Sequence, residues 1–581
     1  MDKPWMKQYD GDIENRLEFF KGSAYEQLKK KASEVPGNYA LNLFSYTLTF
    51  KELITKIDKT ADLLWQEGFR KGDNILICIP NIPVFFFLFY AANKLGLIVT
   101  VLNYQSTYAM INSVIRECSC KGLVINQSKL PRLDDALRDT EISLVLVCND
   151  GDYVNFIDRF NLYFSTPPEL RGKRQELPKF KNRKIVSWVQ FYGQEISCKV
   201  STETVEGTDP AFFLNSGSAT GEHMIEVFTN ENITSAVSIV SLGLALDKND
   251  NNDKSSLSAV NNNYSMVLTI SFHSMLCLGV EVILMPYYNP GNFAGVLFYR
   301  KPSILFGYPS MYINLMEKIE TTSAYMRKSM AFLDTAISMG DSFPIGERKK
   351  FDVFLDKHNC GVEMQEAYGL TECLSVCSLT PLFKARDNSM GIPLPGVLMK
   401  IVDPNTMVEL PSGRQGEICV CSPTSMAYVN NDQSATDSIL RKHRDGRTWI
   451  HTGDIGHMDD DGYFYFDYMK KRCANIGGRS VSLKAVEDTV KNVYGVEDVC
   501  VIDQADENGN TILVALVVPN DRFLFDNDKL VQLKDSIEME CNMLLLEYQR
   551  PSKIEYRASL PKNGVGETDY KQVVAEMAEQ H

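Results

Sequence analysis

Positive charge is in short supply in this sequence. The 581 residues include 60 lysines and arginines against 74 aspartates and glutamates, which makes the formal net charge −14 at pH 7. Proteins that bind nucleic acids do so with clusters of Lys and Arg that neutralise phosphates. The charge balance therefore argues against a nucleic-acid partner, and a small anionic ligand would need a local basic pocket.

Long apolar runs and a leader segment are missing as well. The most apolar stretch is NIPVFFFLFYAANKLGLIVTVLN (81–103), which Pro83, Asn93 and Lys94 interrupt before it reaches the roughly 20 apolar residues of a membrane span. It is predicted to form a buried helix followed by a strand. The N-terminal segment MDKPWMKQYDGDIENRLEFF has neither the apolar core nor the cleavage site of a signal peptide. We therefore expect a cytoplasmic protein without a membrane span.

Cysteine spacing typical of zinc sites is also absent, although the chain has 14 cysteines. The pairs CSC (118–120) and CVC (419–421) have no second Cys/His pair at zinc spacing. Thiols stay reduced in the cytoplasm. We therefore expect mostly buried free thiols.

What the sequence does contain is an alternation of helical and strand patterns. The segment TFKELITKIDKTADLLWQEG (49–68) repeats apolar residues at helical spacing, and DNILICIP (73–80) is a short strand pattern. Further strand patterns are GLIVTVLN (96–103), GLVINQSK (122–129), ISLVLVCND (142–150) and GVEVILMP (279–286). Strands separated by amphipathic helices predict parallel sheets of the α/β class.

Composition also suggests where the chain is interrupted and divided. The stretch DKNDNNDKSSLSAVNNNY (247–264) is predicted to be a surface loop because it is rich in Asn, Asp and Ser. The basic stretch STPPELRGKRQELPKFKNRK (165–184) is predicted to be a solvated connector. Shorter elements from about residue 472 onward predict a separate α+β unit, so we expect domains at 1–470 and 471–581.

Three segments carry residues suited to nucleotide chemistry. The first is FFLNSGSATGEHMIEV (212–227), where small residues at 216–221 follow an apolar strand and can turn backbone N–H groups toward phosphate oxygens. The alternative is an ordinary Ser/Gly loop. The second is MQEAYGLTECLSV (364–376), where an aromatic ring, a hydroxyl and a carboxylate suit a purine, a phosphate and Mg²⁺. The alternative is a turn after a buried strand.

The third segment is RTWIHTGDIGHMDDDGYFYF (447–466), where Asp454 lies between two glycines. A ligand can approach the backbone closely there, and the carboxylate can accept hydrogen bonds from ribose hydroxyls, as acidic residues do in dinucleotide sites. The alternative is a capped turn.

Taken in order, these segments resemble the adenylate-forming superfamily, which includes acyl-CoA synthetases, nonribosomal-peptide adenylation domains and luciferases. The resemblance runs from about residue 45 to the end of the chain. Further matching segments are FGYPSMY (306–312), AISMGDSFP (336–344), SMGIPLPGVLMKIVD (389–403), GRQGEICV (413–420) and IGGRSVSLKAVEDTV (476–490).

The resemblance implies a fold and an activity. The fold would be a large N-terminal α/β domain of parallel sheets with a small β-rich subdomain, followed by a small mobile α+β domain. The activity would be that of a two-step ligase that uses ATP, Mg²⁺ and CoA, or a separate carrier protein in place of CoA. A carboxylic acid attacks the α-phosphate of ATP to form an acyl-adenylate, and a thiol then displaces AMP.

The resemblance also implies roles for single residues. Nucleotide-binding roles fall to Ser216, Gly217, Ser218, Thr220 and Gly221 at the phosphates, to Met339, Gly340, Asp341, Tyr368 and Gly369 at adenine, and to Asp454 at the ribose. Thr371 would contact the α-phosphate and Glu372 would hold Mg²⁺, both as catalytic residues. The acyl pocket would include His273, Gly307, Tyr308 and Ala367. Lys471 would be the hinge, and Gly477 and Gly478 would serve the thiol step.

Three cations of the family pattern are absent from this sequence. Met224 replaces the lysine of the phosphate loop, and Tyr468 and Met469 replace the glycine and arginine of the linker. In LPKNGVGETDYKQ, Glu567 stands where the family has its catalytic lysine. That last replacement changes the local charge by two units, each worth up to about 4 kcal/mol at about 4 Å and an effective dielectric of about 20. Adenylation should therefore be slow unless Glu567 stays out of the site or Lys571 takes over.

Two functions remain open from the sequence. The first is an AMP-forming acid–thiol ligase, an acyl-CoA synthetase with a modified nucleotide site. The second is a catalytically silent homologue that binds nucleotide or acyl ligand as a sensor or partner subunit. The aromatic content of the acyl segment suits an apolar or aryl acid more than an amino acid, for which Asp209 would be the candidate partner of the amino group.

Overall fold

The computed structural model describes residues 3–9, 12–166, 176–180, 182–200, 204–217, 223–246, 251–341, 343–469, 472–476, 479–505, 511–520, 523, 527–562 and 568–579. Its strands are β1 (Tyr39–Leu43), β2 (Tyr46–Thr49), β3 (Asn74–Cys78), β4 (Ile98–Val101), β5 (Cys120–Asn126), β6 (Leu144–Cys148), β7 (Lys184–Ser187), β8 (Pro210–Gly217), β9 (His223–Thr229), β10 (Ser255–Ser258), β11 (Glu281–Leu284), β12 (Ile304–Gly307), β13 (Thr335–Met339), β14 (Met364–Gly369), β15 (Val376–Leu379), β16 (Ile392–Pro393), β17 (Leu398–Val402), β18 (Gly416–Cys421), β19 (Tyr428–Val429), β20 (Leu440–Lys442), β21 (Thr448–Met458), β22 (Phe464–Met469), β23 (Cys473–Ile476), β24 (Arg479–Ser482), β25 (Val496–Ala505), β26 (Thr511–Pro519) and β27 (Lys553–Tyr556).

The α-helices are α1 (Ala24–Glu34), α2 (Phe50–Gln66), α3 (Pro83–Lys94), α4 (Tyr108–Glu117), α5 (Leu133–Leu137), α6 (Phe156–Ser165), α7 (Trp188–Tyr192), α8 (Asn230–Gly243), α9 (Met275–Cys277), α10 (Pro290–Arg300), α11 (Pro309–Thr321), α12 (Ile345–Lys357), α13 (Gln433–Ile439), α14 (Leu483–Lys491), α15 (Asn527–Leu544) and α16 (Tyr570–Glu579). A π-helical segment, Val267–Ser274, precedes α9.

The two helices predicted near the N-terminus are confirmed, and their ends follow local chemistry. α2 begins with a capping box in which Thr49 and Glu52 bond each other's backbone N–H groups. α3 begins at Pro83, where a missing N–H costs nothing, and its residues from Pro83 to Asn93 are buried. The most apolar stretch is therefore a core helix followed by β4. Across the described residues, no helix combines the length and apolarity that crossing a bilayer requires.

Two large sheets form the N-terminal part of the molecule. One has eight strands in the order β19-β9-β8-β4-β3-β5-β6-β7, and the other has nine in the order β16-β15-β14-β13-β12-β10-β11-β1-β2. The inner pairs of both sheets are parallel, as the helix–strand alternation predicts. One hydrophobic cluster contains residues of both sheets and of α1, α2, α3 and α8, so the two sheets share a core.

The Asn-rich stretch predicted to be a surface loop contains β10, and its residues 256–260 are buried in this core, so the loop prediction is wrong for that part. The turn at Asn252 and Asp253 is exposed, as predicted. β10 lies inside the nine-stranded sheet between β11 and β12. Asn251 donates from its side-chain amide to the carbonyl oxygens of Leu246 and Leu278, and Asn262 donates to that of Ile79. Their buried amides satisfy carbonyl groups that follow helix α8, helix α9 and strand β3, a use that composition does not reveal.

The predicted β-rich subdomain is also present. It is an antiparallel five-stranded sheet in which β17, β18, β21 and β20 are neighbours in that order and β22 pairs with the other part of β21. Antiparallel hairpins of this kind need only short connections. The subdomain contributes β21, which carries Asp454.

The C-terminal elements have cores of their own. β25, β26 and β27 form a three-stranded sheet, and their hydrophobic clusters, together with α14, α15 and α16, run from Ala474 to Met577. Among the described residues, the clusters of the preceding part end at Phe464. The separation agrees with a small α+β domain, while the boundary at 470/471 stays a prediction because residues 470 and 471 lie outside the described ranges.

Candidate active site

Three of the predicted segments meet at one edge of the nine-stranded sheet. β12, β13 and β14 are adjacent and parallel, so their carboxyl ends lie side by side. The residues that follow them are Tyr308, Gly340 and the turn 370–373. Ligands of open α/β sheets bind outside the carboxyl ends of the strands. The strand order thus brings together positions that the sequence keeps about 30 residues apart.

The loops after β12 and β13 touch each other directly. Gly340 has φ +88°, and a Cβ at this position would lie 2.6 Å from Cε1 of Tyr308. A side chain at 340 is therefore excluded both by the backbone conformation and by the ring. Tyr308 also packs edge-on against Tyr264, with ring centroids 5.7 Å apart. The contact joins the predicted adenine-side loop to the predicted acyl segment.

The central contact of the site links Tyr368 to Asp454. The Tyr368 hydroxyl donates a 2.6 Å hydrogen bond to Oδ2 of Asp454, across 86 residues of sequence. Burial, with smaller contributions from the Glu372 and Glu417 carboxylates, raises the pKa of Asp454 to about 6, and the Tyr368 hydrogen bond opposes this shift. Burial and Asp454 raise the pKa of the Tyr368 hydroxyl well above its ordinary value. Tyr368 therefore remains a neutral donor to a carboxylate whose charge is costly to bury.

Glu417 supports this site, although no individual role was predicted for it. Its Oε1 accepts the Gly453 N–H at 3.1 Å, and its Oε2 lies 3.0 Å from Nδ1 of His451. Thr452 accepts the Asp454 N–H and donates to the carbonyl of Ile418. The only signal for Glu417 was its place in the matching segment GRQGEICV.

Two positions where the family has cations fall near these elements. Met469 is the backbone partner of Asp454 in the β21–β22 ladder, and its side chain lies outside what the structure describes. Met224 pairs with Ser216 in the β8–β9 ladder, and its partly buried side chain packs on the main hydrophobic cluster. At position 224 the strand therefore offers an apolar contact where a phosphate loop would use a charge.

A small apolar cavity lies behind the strand-end edge. Its volume is about 20 Å³, and its lining includes Met339 and Ala367 from the predicted site together with Val240, Leu244 and Ile270. A void of this size holds about one water molecule. Side chains must therefore move before an organic ligand enters.

His273 has a buried setting of its own. Its exposed fraction is 1%, and its ring nitrogens lie 3.0 Å from the Tyr90 hydroxyl and 3.0 Å from Oε1 of Gln27. Burial lowers the pKa of His273 to about 3, so the ring is neutral at physiological pH. Its lining of an acyl pocket stays a prediction. In the same predicted pocket, a Cβ on Gly307 would lie 3.2 Å from the Tyr312 ring.

Further predicted residues are placed only in part. Gly369 has no room for a side chain, because a Cβ would lie 2.7 Å from the carbonyl oxygen of Ser375. Thr371 and Glu372 are half-buried in a short 3₁₀ turn, and Asp341 is exposed. The residues that lie outside the described ranges are Ser218, Thr220, Gly221, Lys471, Gly477, Gly478 and Glu567; for Ser216, Gly217 and Lys571 only the backbone is described.

The carboxylates of this edge suit a divalent cation. Glu372 is close enough to Asp454 to raise its pKa, so the two negative charges repel each other in the absence of a counter-charge. Mg²⁺ prefers carboxylate and phosphate oxygens. Glu372 therefore fits the predicted magnesium role in the presence of a bound triphosphate.

Together, the strand-end edge, its close-approach glycines and its buried carboxylate are characteristic of a nucleotide-binding α/β protein. Comparison with known families is more specific. The chain belongs to the AMP-binding enzyme family: the family model described as AMP-binding enzyme matches residues 28–428, and that of the AMP-binding enzyme C-terminal domain matches residues 485–567.

Relatives and solved structures agree over nearly the whole length. A long-chain-fatty-acid–CoA ligase of Bacillus subtilis is 24% identical over 100% of this chain and 99% of its own, and one of Salmonella typhimurium is 23% identical over 97% of both. ATP-bound MatB from Rhodopseudomonas palustris has a TM-score of 0.77 at 19% identity, covering 96% of this chain and 99% of its own. The fatty acyl CoA synthetase of Mycobacterium tuberculosis has a TM-score of 0.68 at 20% identity, covering 98% and 99%. The predicted adenylate-forming fold is thereby confirmed.

Proposed function

We propose that this chain is an AMP-forming ligase that activates an apolar carboxylic acid with ATP and transfers the acyl group to CoA. The observation that carries the proposal is the Tyr368–Asp454 hydrogen bond beside Glu372, because it gathers the residues expected at adenine, ribose and magnesium. Relatives named long-chain-fatty-acid–CoA ligases, similar over the full length, support the same activity.

The nucleotide would lie across the ends of β12, β13 and β14. Tyr368 orients the Asp454 carboxylate, which accepts hydrogen bonds from the ribose hydroxyls. Gly340, which has no side chain, lets the Tyr308 ring lie against the backbone of the loop expected beside adenine. Thr371 donates to the α-phosphate, and Glu372 would hold Mg²⁺, which supplies charge neutralisation to the phosphates when bound.

The reaction then has two displacements. An oxygen of the acid forms a bond to the α-phosphorus while the bond to the bridging oxygen breaks and pyrophosphate leaves. The CoA sulfur next forms a bond to the acyl carbon while the bond to the AMP oxygen breaks. The first step is expected to be slow in this protein, because Met224, Met469 and Glu567 stand where the family uses cations.

An apolar acid fits the residues around the cavity better than an amino acid does. The cavity behind Ala367 is lined by aliphatic side chains and Met339. Asp209, the candidate partner of an amino group, instead forms an ion pair with Lys71 at 2.6 Å. A fatty or aryl acid would enlarge the cavity by displacing flexible side chains such as Leu244.

One observation favours the silent homologue as a second candidate. Met224 packs its side chain on the hydrophobic cluster, so the phosphate-loop position is adapted to an apolar contact. A protein of this kind would bind nucleotide or acyl ligand without turnover.

The test is an assay of purified full-length protein with ATP, Mg²⁺, CoA and a panel of acids. The panel contains saturated fatty acids of increasing length, an aryl acid and an amino acid, and AMP release is measured for each. We expect AMP release with a fatty or aryl acid and none with the amino acid. Saturable ATP binding without AMP release from any acid would instead establish the silent homologue.

A further inference from the structure

A second cluster of chemically active side chains lies in the antiparallel subdomain. Sγ of Cys419 and one ring nitrogen from each of His443 and His451 all lie within 4.8 Å of one another. Cys419 and His451 face each other across the β18–β21 ladder, and His443 comes from the turn between β20 and β21. The first two are buried and His443 is half-buried. Two strands and a turn thus converge on one small volume.

The hydrogen bonds around the cluster orient its histidines. Nδ1 of His451 lies 3.0 Å from Oε2 of Glu417, so this carboxylate holds the Nδ1 proton. The opposite nitrogen, Nε2, faces Nε2 of His443 at 2.9 Å. A carboxylate that fixes the tautomer of a histidine is the usual support of a metal-binding imidazole. The unprotonated Nε2 of His451 therefore points into the cluster.

The dimensions suit a small divalent ion. In zinc sites the metal lies about 2.0–2.1 Å from imidazole nitrogens and about 2.3 Å from a thiolate, with near-tetrahedral angles. Those bond lengths require two nitrogens roughly 3.3 Å apart. The two Nε2 atoms, 2.9 Å apart, are already close to that separation, and the Cys419 Sγ lies within 4.8 Å of a nitrogen of each ring. Shifts of the His443 and Cys419 side chains would complete the geometry.

Two cations, Lys400 and Arg441, lie near the cluster. The Lys400 ammonium lies 3.9 Å from the centre of the Trp449 ring and 3.7 Å from a carboxylate oxygen of Asp445. Its charge is thus shared with an acid and an aromatic face. A bound dication would be balanced by the Cys419 thiolate and by Glu417.

We propose that Cys419, His443 and His451 bind one Zn²⁺ ion, with water as the fourth ligand. On binding, the Cys419 thiol gives up its proton to solvent and the sulfur becomes a thiolate ligand. The ion joins β18 and β21 to the turn at His443. Because Glu417 also accepts the Gly453 N–H, the site would stiffen the segment that carries Asp454.

The test uses full-length protein freed of metal with a chelator and titrated with Co²⁺ as a spectroscopic substitute for Zn²⁺. We expect one equivalent of Co²⁺ to bind with a sulfur-to-cobalt charge-transfer band, and Zn²⁺ to displace it and raise the melting temperature. Cys419→Ser should abolish the band, and His443→Ala should weaken Co²⁺ binding by at least about tenfold.

Matched controls are available in the same chain. Cys198→Ser changes an exposed cysteine, and His457→Ala changes a histidine on β21 outside the cluster; both variants should bind Co²⁺ as the parent does. Circular dichroism checks that each variant is folded. If Cys419→Ser does not fold, His443→Ala is used as the test variant in its place. Absence of a saturable band in the parent protein, or its retention in folded Cys419→Ser and His443→Ala, would overturn the proposal. None of these measurements depends on ligase activity.

Discussion

At the scale of the residue, Asp454 is a carboxylate whose ionisation opposes folding in the ligand-free protein. Its pKa is raised to about 6 by burial, so the folded state binds this proton more tightly than the unfolded state does. The stabilisation is fully present below about pH 4, and is lost as the pH rises to about 6. At neutral pH the buried, ionised side chain therefore lowers the free energy of unfolding. In the proposed complex, hydrogen bonds from the ribose hydroxyls would stabilise this charge.

Asp454→Asn should separate stability from binding. The amide oxygen can still accept from Tyr368 but carries no charge, so we expect the free energy of unfolding at pH 7 to rise by about 1–3 kcal/mol. ATP affinity should fall by about tenfold, since charge-assisted hydrogen bonds are lost. Urea denaturation and ATP titration measure the two effects. The gain in stability should shrink at pH 5, where the parent carboxyl is largely protonated; an equal gain at both pH values would contradict the explanation.

Glu567 tests the charge argument for the first step. Glu567→Lys should raise acid-dependent pyrophosphate exchange by at least about tenfold, because it restores two units of charge near the reacting phosphate. Glu567→Gln restores only one and should give an intermediate rate. If exchange is the same in the parent and both variants, residue 567 does not enter the site during adenylation.

At the scale of the element, β10 shows that polar composition does not exclude a central strand. Leu257 is its only large apolar residue, yet the whole strand is held between two parallel neighbours. Buried asparagines on either side bond backbone carbonyls. The hydrogen-bonding needs of carbonyl groups at the ends of neighbouring helices and strands, rather than the hydrophobic pattern, explain these asparagines.

Asn262→Ala tests this interpretation. Asn262 is 1% exposed and donates to the Ile79 carbonyl at 3.0 Å, so its loss should lower the free energy of unfolding by about 1–3 kcal/mol. Its neighbour Asn261, which is half-buried, provides the control, and Asn261→Ala should change stability by less than about 0.5 kcal/mol. Denaturant unfolding measures the free energy of unfolding of both variants. If the two substitutions lower it equally, the Asn262 hydrogen bond does not stabilise this segment.

At the scale of the whole molecule, the C-terminal elements pack in hydrophobic clusters of their own, and we propose that this separation lets the small domain rotate. In the proposed ligase, each face of the small domain serves one half-reaction, and the linker near residue 471 absorbs the rotation. The hinge role does not require a particular side chain. It requires that the backbone dihedral angles of the linker can change.

Lys471→Pro should therefore impair the coupling of the two steps. Proline restricts φ to about −65°, so we expect one half-reaction to persist while the other falls by at least about tenfold. Pyrophosphate exchange measures the first step, and CoA consumption with supplied acyl-adenylate measures the second. Lys471→Ala keeps the backbone free and should retain both. Unchanged activity of the proline variant in both assays would argue against a hinge at this position.

The local elements and the family could be predicted from the sequence alone. Helical spacing predicted α2, the apolar run predicted α3 and β4, and the order of three short motifs predicted the adenylate-forming fold. These features depend on neighbouring residues and on spacing along the chain, both of which can be read without coordinates.

Which distant side chains meet could not be predicted without the folded structure. The Tyr368–Asp454 bond, the support from Glu417 and the Cys419–His443–His451 cluster all depend on strand order and register. Cys419 of the CVC pair shows no zinc-type spacing in the sequence, because the two histidines beside it, His443 and His451, belong to the β20–β21 hairpin. The register of paired strands is set by packing across the whole sheet. It therefore cannot be predicted from a short stretch of sequence.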